Sequence, residues 1–457
     1  MSKSIDDFHV AHIYKDSSMD SKQYQNGGNT QSQILSLALS IAQQTQKVND
    51  YLQSKNLPFP SVAPSAHSHL PLPPELMSSQ FAVVEACTEL AALMEGPLNH
   101  LTTITSPRAN IMMALQAIHR FNIASSISVD EEISYANLAT RCKMDPTDLR
   151  RILQLAVSNL VFQEIRPGYI AHTTISHLIA TDATVKSWIA LVTEEMWPPA
   201  SRGVDAMATW PNSQNLHETA FSLVNGGVSF WEAIKEGNRG RRFADGMKYL
   251  GKLPGFDVQH LIHALQFKEG KEEVLVDIGG SEGDIAVRLV EHFPRLKVIV
   301  QDLDEVIEGI KETELPICVG GRLEFMKHDM FTVQPVANAD VYFLRSILHD
   351  WPDKYAISII KNLVLALKAG AKVILNEVCL PEEPGMVPMY HAQLLYGYDL
   401  AMKHQFNGKE RRIVEWEELF QKADPRFKMG RVVSMPGSLL SVIEFVWKPE
   451  DHTIESI

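Results

Sequence analysis

The 457-residue chain is 45% apolar and 21% charged, and its 42 basic against 55 acidic residues give a formal charge of −13. That length exceeds the roughly 250–300 residues at which a single core stops growing, so two folded domains plus a tail are expected. The acidic balance works against a nucleic-acid surface, which needs clustered Lys and Arg.

Cys87, Cys142, Cys318 and Cys379 lie far apart without metal-ligand spacing, which fits reduced thiols in a cytoplasmic protein and no metal site. The N-terminus lacks a signal-peptide core, and nowhere do about 18 strongly apolar residues run together, so no membrane span is expected.

Residues 1–30 are polar and close on Asn26, Gly27, Gly28 and Asn29. They carry too little apolar surface to offset their ordering entropy and are expected to be disordered. In the next segment, residues 31–75, Ile34, Leu37, Ala38, Ile41, Val48 and Leu52 recur at helical spacing and predict an amphipathic helix over 34–52. Pro58, Pro60, Pro64, Pro71, Pro73 and Pro74 then form a linker that cannot be helical. A helix tethered in this way must find its apolar partner elsewhere, and a second subunit is a candidate.

Residues 76–252 read mostly as helix. Within them a helix over 135–141, a turn through Lys143 and Asp145 and a helix over 146–159 precede two β-like runs, 161–165 and 169–172, parted by Pro167 and Gly168. That is the outline of a winged helix. Its second helix carries Leu149, Ile152, Leu153, Leu155, Ala156 and Leu160, with only Arg150 and Arg151 for charge. A recognition helix needs a polar face for base edges, so this one is expected to be buried on nearly every side and not to bind DNA.

Residues 253–450 change to strand–helix–strand grammar. Apolar runs at 274–278, 297–301, 340–344 and 371–376 predict buried parallel strands, helices alternate with them, and 439–447 is expected to pair with 431–434 as a hairpin. The fold class expected here is α/β.

The first strand runs into Asp277-Ile278-Gly279-Gly280-Ser281-Glu282-Gly283, and a helix follows at once. Glycines there let the backbone turn tightly and approach a ligand. Asp302 closes the second strand, where a ribose diol would be gripped, whereas Glu282 and Asp284 would repel a pyrophosphate. An adenosine without phosphates suits these charges. Asp329 and Met330, in His328-Asp329-Met330-Phe331, offer an acceptor for an amino group and a soft surface for a ring. Arg345 closes a later strand, and His349-Asp350-Trp351-Pro352 follows it. An imidazole just past a strand's C-terminal end faces the ligand crevice and has a pKa suited to proton abstraction. Glu377 and Glu410 could orient it.

Together these motifs, with Gly408-Lys409-Glu410-Arg411, Arg166-Pro167-Gly168 and Phe230-Trp231-Glu232, resemble the S-adenosylmethionine-dependent O-methyltransferases of the caffeic acid type, in particular the fungal polyketide branch that includes sterigmatocystin O-methyltransferases. The resemblance spans residues 34–447. It implies a Rossmann-like methyltransferase domain behind a mainly helical winged-helix dimerisation domain, a homodimer, S-adenosyl-L-methionine as cofactor and a small aromatic or polyketide-type substrate. It further implies that Gly279 and Gly280 approach the methionine moiety, Asp302 the ribose, Asp329 and Met330 the adenine, and that Arg345 stands where plant enzymes often have Lys. His349 would be the base, framed by Glu377 and Glu410, with Phe243, Met247, Asp350 and Asp399 on the substrate side. Ser281 departs from the pattern, standing where a third glycine is usual. Two rivals accompany the transferase. One is a pericyclase or decarboxylase of the same family, with the cofactor as a bound cation. The other is a non-enzymatic regulator built on the winged helix. The joint presence of His349, Glu377 and Glu410 favours transfer.

Overall fold

Proline and glycine positions set the element boundaries in the computed structural model, which describes residues 32–268, 270–310 and 320–449. The tail expected to be disordered and Cys318 lie outside the described residues. Helix α1 (Gln33–Ser54) precedes the proline linker, and α2 (Pro74–Thr105) is kinked where Gly96 takes a φ of 73° ahead of Pro97. α3 (Pro107–Arg120) follows. α1 is not free of its own chain: it packs along α2, burying Leu37 and Leu52, and Gln33 Nε2 donates to Glu89 Oε1 at 2.6 Å. The first partner of this helix is therefore internal, because the linker folds back. Thr174 N donates to Val62 O at 3.0 Å and Thr174 Oγ1 to Ala63 O at 2.5 Å. Even so, Leu35 and Leu39 on α1 and Leu93, Met94, Leu98 and Leu101 on α2 stay exposed, Leu98 at 80%.

The next unit comprises β1 (Ile133–Ser134), α4 (Tyr135–Cys142), α5 (Pro146–Ser158), β2 (Phe162–Arg166) and β3 (Tyr169–His172), its strands antiparallel in the order β1-β3-β2. Ser134 and Asp145 accept from first-turn amides and cap α4 and α5, and Lys143 ends α4 in the left-handed region. α5 buries Leu149, Leu153 and Ala156 along one face only; Leu160, just past its end, is 56% exposed. The expectation of burial on nearly every side gives way to an ordinary amphipathic helix, because α5 packs through its apolar residues against α3, α4 and β2 and leaves Arg150, Arg151 and Gln154 exposed. α6 (Arg239–Gly251) leads toward the second half of the chain.

There, β4 (Glu273–Ile278), β5 (Leu296–Asp302), β6 (Leu323–Lys327), β7 (Val341–Arg345) and β8 (Lys372–Val378) are parallel, and β9 (Phe427–Ser434) and β10 (Leu440–Trp447) close the sheet antiparallel. Among the described residues the order is β6-β5-β4-β7-β8-β10-β9. α7 (Asp284–His292), α8 (Asp353–Leu363), α9 (Met389–Phe406) and α10 (Ile413–Ala423) accompany it. Alternate residues enter opposite cores: Val276 and Ile278 pack with Tyr342, Leu344 and Trp416, while Leu275 packs with Val298, Phe343 and Leu289. Burial on both faces is what makes these strands continuous apolar runs, and the α/β expectation is met. β6 had no such signal; it is a half-buried edge strand. The chain leaves β4 toward β5 and β6 on one side and β7 and β8 on the other, so the order reverses beside β4. Ligands of such sheets bind outside the strand C-termini at that reversal. Among the described residues, no helix is long and apolar enough to cross a membrane.

Candidate active site

The turn after β4 opens on two glycines where a side chain would have no room. Gly279 has a φ of 74°, and a Cβ on it would lie 2.6 Å from Ile347 Cδ1; one on Gly280 would lie 2.6 Å from Asp277 Oδ2. Gly279 and Gly280 donate from N to Gln301 O at 2.8 and 3.2 Å. Asp302, at the end of β5, accepts from Ser281 N at 2.9 Å and Leu303 N at 2.8 Å, so it ties the glycine turn to its own strand. Ser281, standing for the usual third glycine, adopts the left-handed φ of 52° regardless. Asp277 is buried, its Oδ2 has no hydrogen-bond partner, and burial pushes its carboxyl up to about 7 despite Arg345 nearby.

Beyond β6, His328 N donates to Asp302 O at 2.9 Å, which sets the following residues beside the Asp302 turn. Asp329 is exposed and accepts from Phe331 N at 2.9 Å; Met330 is half-buried against the main core. Arg345 donates to Asn376 Oδ1 and, at 2.7 Å, to Phe256 O. Burial brings its guanidinium down to about 10, against the pull of Asp277, Glu377 and Asp257.

Past β7 a single 3-10 turn, Leu348–Asp350, presents His349. Its Nδ1 lies 2.8 Å from Glu410 Oε1 and 3.9 Å from Glu377 Oε2; its Nε2 lies 3.5 Å from Asp350 Oδ1. The carboxylate contact at Nδ1 assigns a proton to that nitrogen, leaving Nε2 for a reacting group. Burial alone would lower the imidazole, but Glu410, Asp350 and Glu377 overrule it and hold it well above its ordinary value. Glu377 accepts from Ile347 N at 3.0 Å and Leu348 N at 2.9 Å through Oε1. Oε2 of Glu377 and Oε2 of Glu410 have no hydrogen-bond partner. Burial raises Asp350 to about 7.

The residues expected on the substrate side divide. Phe243, on α6, meets Phe230 and Trp231 edge to face, and Trp231 stacks between Trp351 at 5.1 Å and Phe406 at 5.3 Å. Met247 is exposed one turn further along α6, which Lys248 anchors to Glu282 of the glycine turn at 2.7 Å. Asp399, on α9, accepts from Glu410 N at 2.9 Å, which gives its carboxylate a place under the Glu410 loop. Sequence reasoning assigned no role to Trp231, Asn376 or Arg411, although Trp231 and Arg411 stood within quoted motifs; their partners are distant in the chain and leave no local pattern.

A family model described as an O-methyltransferase domain matches residues 210–425. The O-methyltransferase kk1A of Curvularia clavata is 48% identical over 420 residues, covering 92% of this chain and 98% of that protein. The grayanic acid biosynthesis cluster O-methyltransferase of Cladonia grayi is 35% identical over 421 residues, with 92% and 89% covered. Among solved structures, LepI in complex with SAM superposes with a TM-score of 0.66 at 21% identity, over 90% of this chain and 100% of that one. This last likeness is one of fold.

Proposed function

The chain belongs to the S-adenosylmethionine-dependent O-methyltransferases of fungal secondary metabolism, and from that premise we propose that His349 is the general base for methyl transfer to a phenolic or polyketide-type hydroxyl. The observation that carries the assignment is the imidazole held between Glu410 and Glu377 at the C-terminal ends of β7 and β8.

The crevice fits the cofactor. Its cradle at Gly279 and Gly280 has no room for a Cβ, and Asp277 Oδ2, Glu377 Oε2 and Glu410 Oε2 are buried acceptors without partners. Such a site suits a ligand that carries ammonium and sulfonium charge and no phosphate. S-adenosylmethionine supplies, when bound, a methyl group on a cationic sulfur. Gly279 and Gly280 would hold its methionine part, Asp302 its ribose hydroxyls, Asp329 and Met330 its adenine, and Arg345 the strand end between them. Phe243, Met247 and Asp350 would line the acceptor side, with Asp399 in support of Glu410.

His349 Nε2 takes the proton of the acceptor hydroxyl, and Glu410 stabilises the resulting imidazolium through Nδ1–H. Glu377 fixes the turn by accepting hydrogen bonds from the Ile347 and Leu348 amides. A phenol with a pKa of about 10 is a poor nucleophile at neutral pH, and a positioned base contributes about 10²–10⁴-fold.

The same proposal divides the chain into an amphipathic helix and linker at 31–75, a winged-helix dimerisation domain at 76–252 and a cofactor domain at 253–450. Its support is the helix–turn–helix–hairpin order from α4 to β3 and the exposed apolar residues of α1 and α2. A cytoplasmic homodimer is the state proposed.

His349→Gln should keep cofactor affinity and lose roughly 10²–10⁴-fold in turnover. Because a base must be unprotonated, the wild-type rate should rise with pH through the raised His349 midpoint and fall below it, and the variant should lose that limb. Methyl-labelled cofactor completes the test: label enters product with one S-adenosylhomocysteine per turnover. Unlabelled product with the cofactor intact would establish the pericyclic or decarboxylative alternative.

A further inference from the structure

Arg411 is fully buried, and its guanidinium is surrounded by the elements that hold the base. Nη1 donates to Leu348 O at 2.9 Å and Lys409 O at 3.4 Å, and Nη2 to Trp351 O at 2.9 Å and Asp353 Oδ1 at 2.8 Å. Nε donates to the same Asp353 oxygen at 3.2 Å. All five N–H donors of the fork are thus used. The indole of Trp416, on α10, closes the far side at 4.8 Å.

The acceptors are the carbonyls on either side of His349 and Asp350. The one between them, His349 O, accepts from Lys409 N at 3.0 Å. From its other side the turn is held by Glu377 Oε1 on the amides of Ile347 and Leu348. The backbone of Arg411 is itself fixed beside β8, pairing with Cys379 and accepting from Leu380 N at 3.1 Å. One side chain therefore joins the His349 turn to the loop that carries Glu410, and its own backbone joins that loop to the strand end that carries Glu377.

We infer that Arg411 is a positioning residue that keeps His349 in register with Glu410 and Glu377. The inference rests on His349 being the base only for its catalytic meaning; the geometry it claims can be read without turnover. A lysine would keep the charge but cannot span three carbonyls and a carboxylate, since it lacks the planar fork.

The imidazole is faced by Glu410 from its loop, Glu377 from β8 and Asp350 from its own turn. If the staple loosens, the Glu410 contact lengthens and the imidazole titrates lower. The experiment is a histidine-labelled NMR titration of the full chain saturated with S-adenosylhomocysteine, using His349→Gln to assign the signal. Arg411→Lys should lower the His349 midpoint by about one pH unit, within the range for partial loss of a neighbouring charge, with S-adenosylhomocysteine affinity kept. A midpoint equal to wild type in the folded variant would overturn the inference, since a merely structural arginine alters melting and not titration. Should Arg411→Lys fail to fold, Asp353→Asn decides. It leaves Arg411 in place but removes its anionic partner, and should give a smaller shift of the same sign; no shift overturns the inference. Full turnover by His349→Gln would instead refute the base assignment and leave the positioning result to stand or fall on its own titration.

Discussion

Gly408 offers a test of how tightly the site is held. A Cβ there would sit 2.2 Å from His349 O, 2.8 Å from Asp350 C and 3.0 Å from Asp350 O. Non-bonded contacts to carbon settle near 3.5–4.0 Å, so in Gly408→Ala the two backbones must part by about 1 Å or more. Neither can yield as a flexible side chain would. The His349 turn is held by Glu377 and Arg411, and the Gly408 loop by Lys409 N on His349 O. The separation therefore stretches the Lys409 N–His349 O bond, now 3.0 Å, and with it the bond between His349 Nδ1 and Glu410 Oε1, now 2.8 Å, past the roughly 3.2 Å limit of a good hydrogen bond. Misplacement of this size costs about 10²-fold in rate, and the overpacking itself about 1–3 kcal/mol of stability. Initial rates with methyl-labelled S-adenosylmethionine and a phenol accepted by the wild type would measure the first, and thermal melting the second. Affinity for S-adenosylhomocysteine should hold, since Gly279, Gly280 and Asp302 are untouched. A folded Gly408→Ala protein that turns over at the wild-type rate would refute the claim that the spacing of these two loops sets the base.

Asp302→Ala should weaken S-adenosylmethionine binding by about 1.5–3 kcal/mol, the range for a hydrogen bond to a charged group; calorimetry that finds unchanged affinity would remove Asp302 from the cofactor site. Because Asp302 also accepts from Ser281 N, part of the loss should come from a loosened glycine turn. For the assembly, sedimentation should find the intact chain at the mass of two copies, and Leu98→Glu, on the exposed stripe of α2, should shift it toward one. A variant that sediments as the wild type does would place the interface elsewhere.

The sheet was legible where burial was two-sided. β4, β5, β7 and β8 appear in the sequence as apolar runs because helices cover both faces, whereas β6 alternates half-buried and exposed residues at the sheet edge and reads as loop. The strand-end residues were legible for the same reason: once parallel strands are assigned, their C-termini must converge, and Gly279, Asp302, Arg345 and Glu377 each follow from one boundary. What local patterns do not supply is pairing at a distance. His349 and Glu410 are 61 positions apart; their partnership is implied by the family resemblance and not by any local spacing, and the fold sets them at 2.8 Å. Asp399 stands on the substrate side only by what the resemblance implies; its bond to the Glu410 amide is a tertiary fact. Arg411 is the clearest case, since a charged residue in a loop reads as solvated surface until its acceptors are in place.

The same cluster explains why so much negative charge is buried in one place. Asp277, Asp350, Glu377 and Glu410 are all buried, and Arg345 and His349 stand among them as cations, with the Arg411 guanidinium buried behind the His349 turn. A buried charge costs several kcal/mol unless it is paired, and three of these carboxylates keep an oxygen with no partner. Stability alone would have removed them. On the proposed function, two tasks need the same field. A cationic methyl donor needs uncompensated negative charge beside it, and an imidazole that accepts a proton needs a carboxylate behind Nδ1. Burial lifts the carboxyls of Asp277 and Asp350 to about 7, which lowers the cost of holding several carboxyl groups together away from water. Glu377 is lifted too, but its Oε1 stays committed to two amides, so it holds position whatever its charge. Geometry and charge are thus assigned to different carboxylates. Glu377, which fixes the turn, is bonded to backbone amides, whereas Asp277 Oδ2 is buried without a partner.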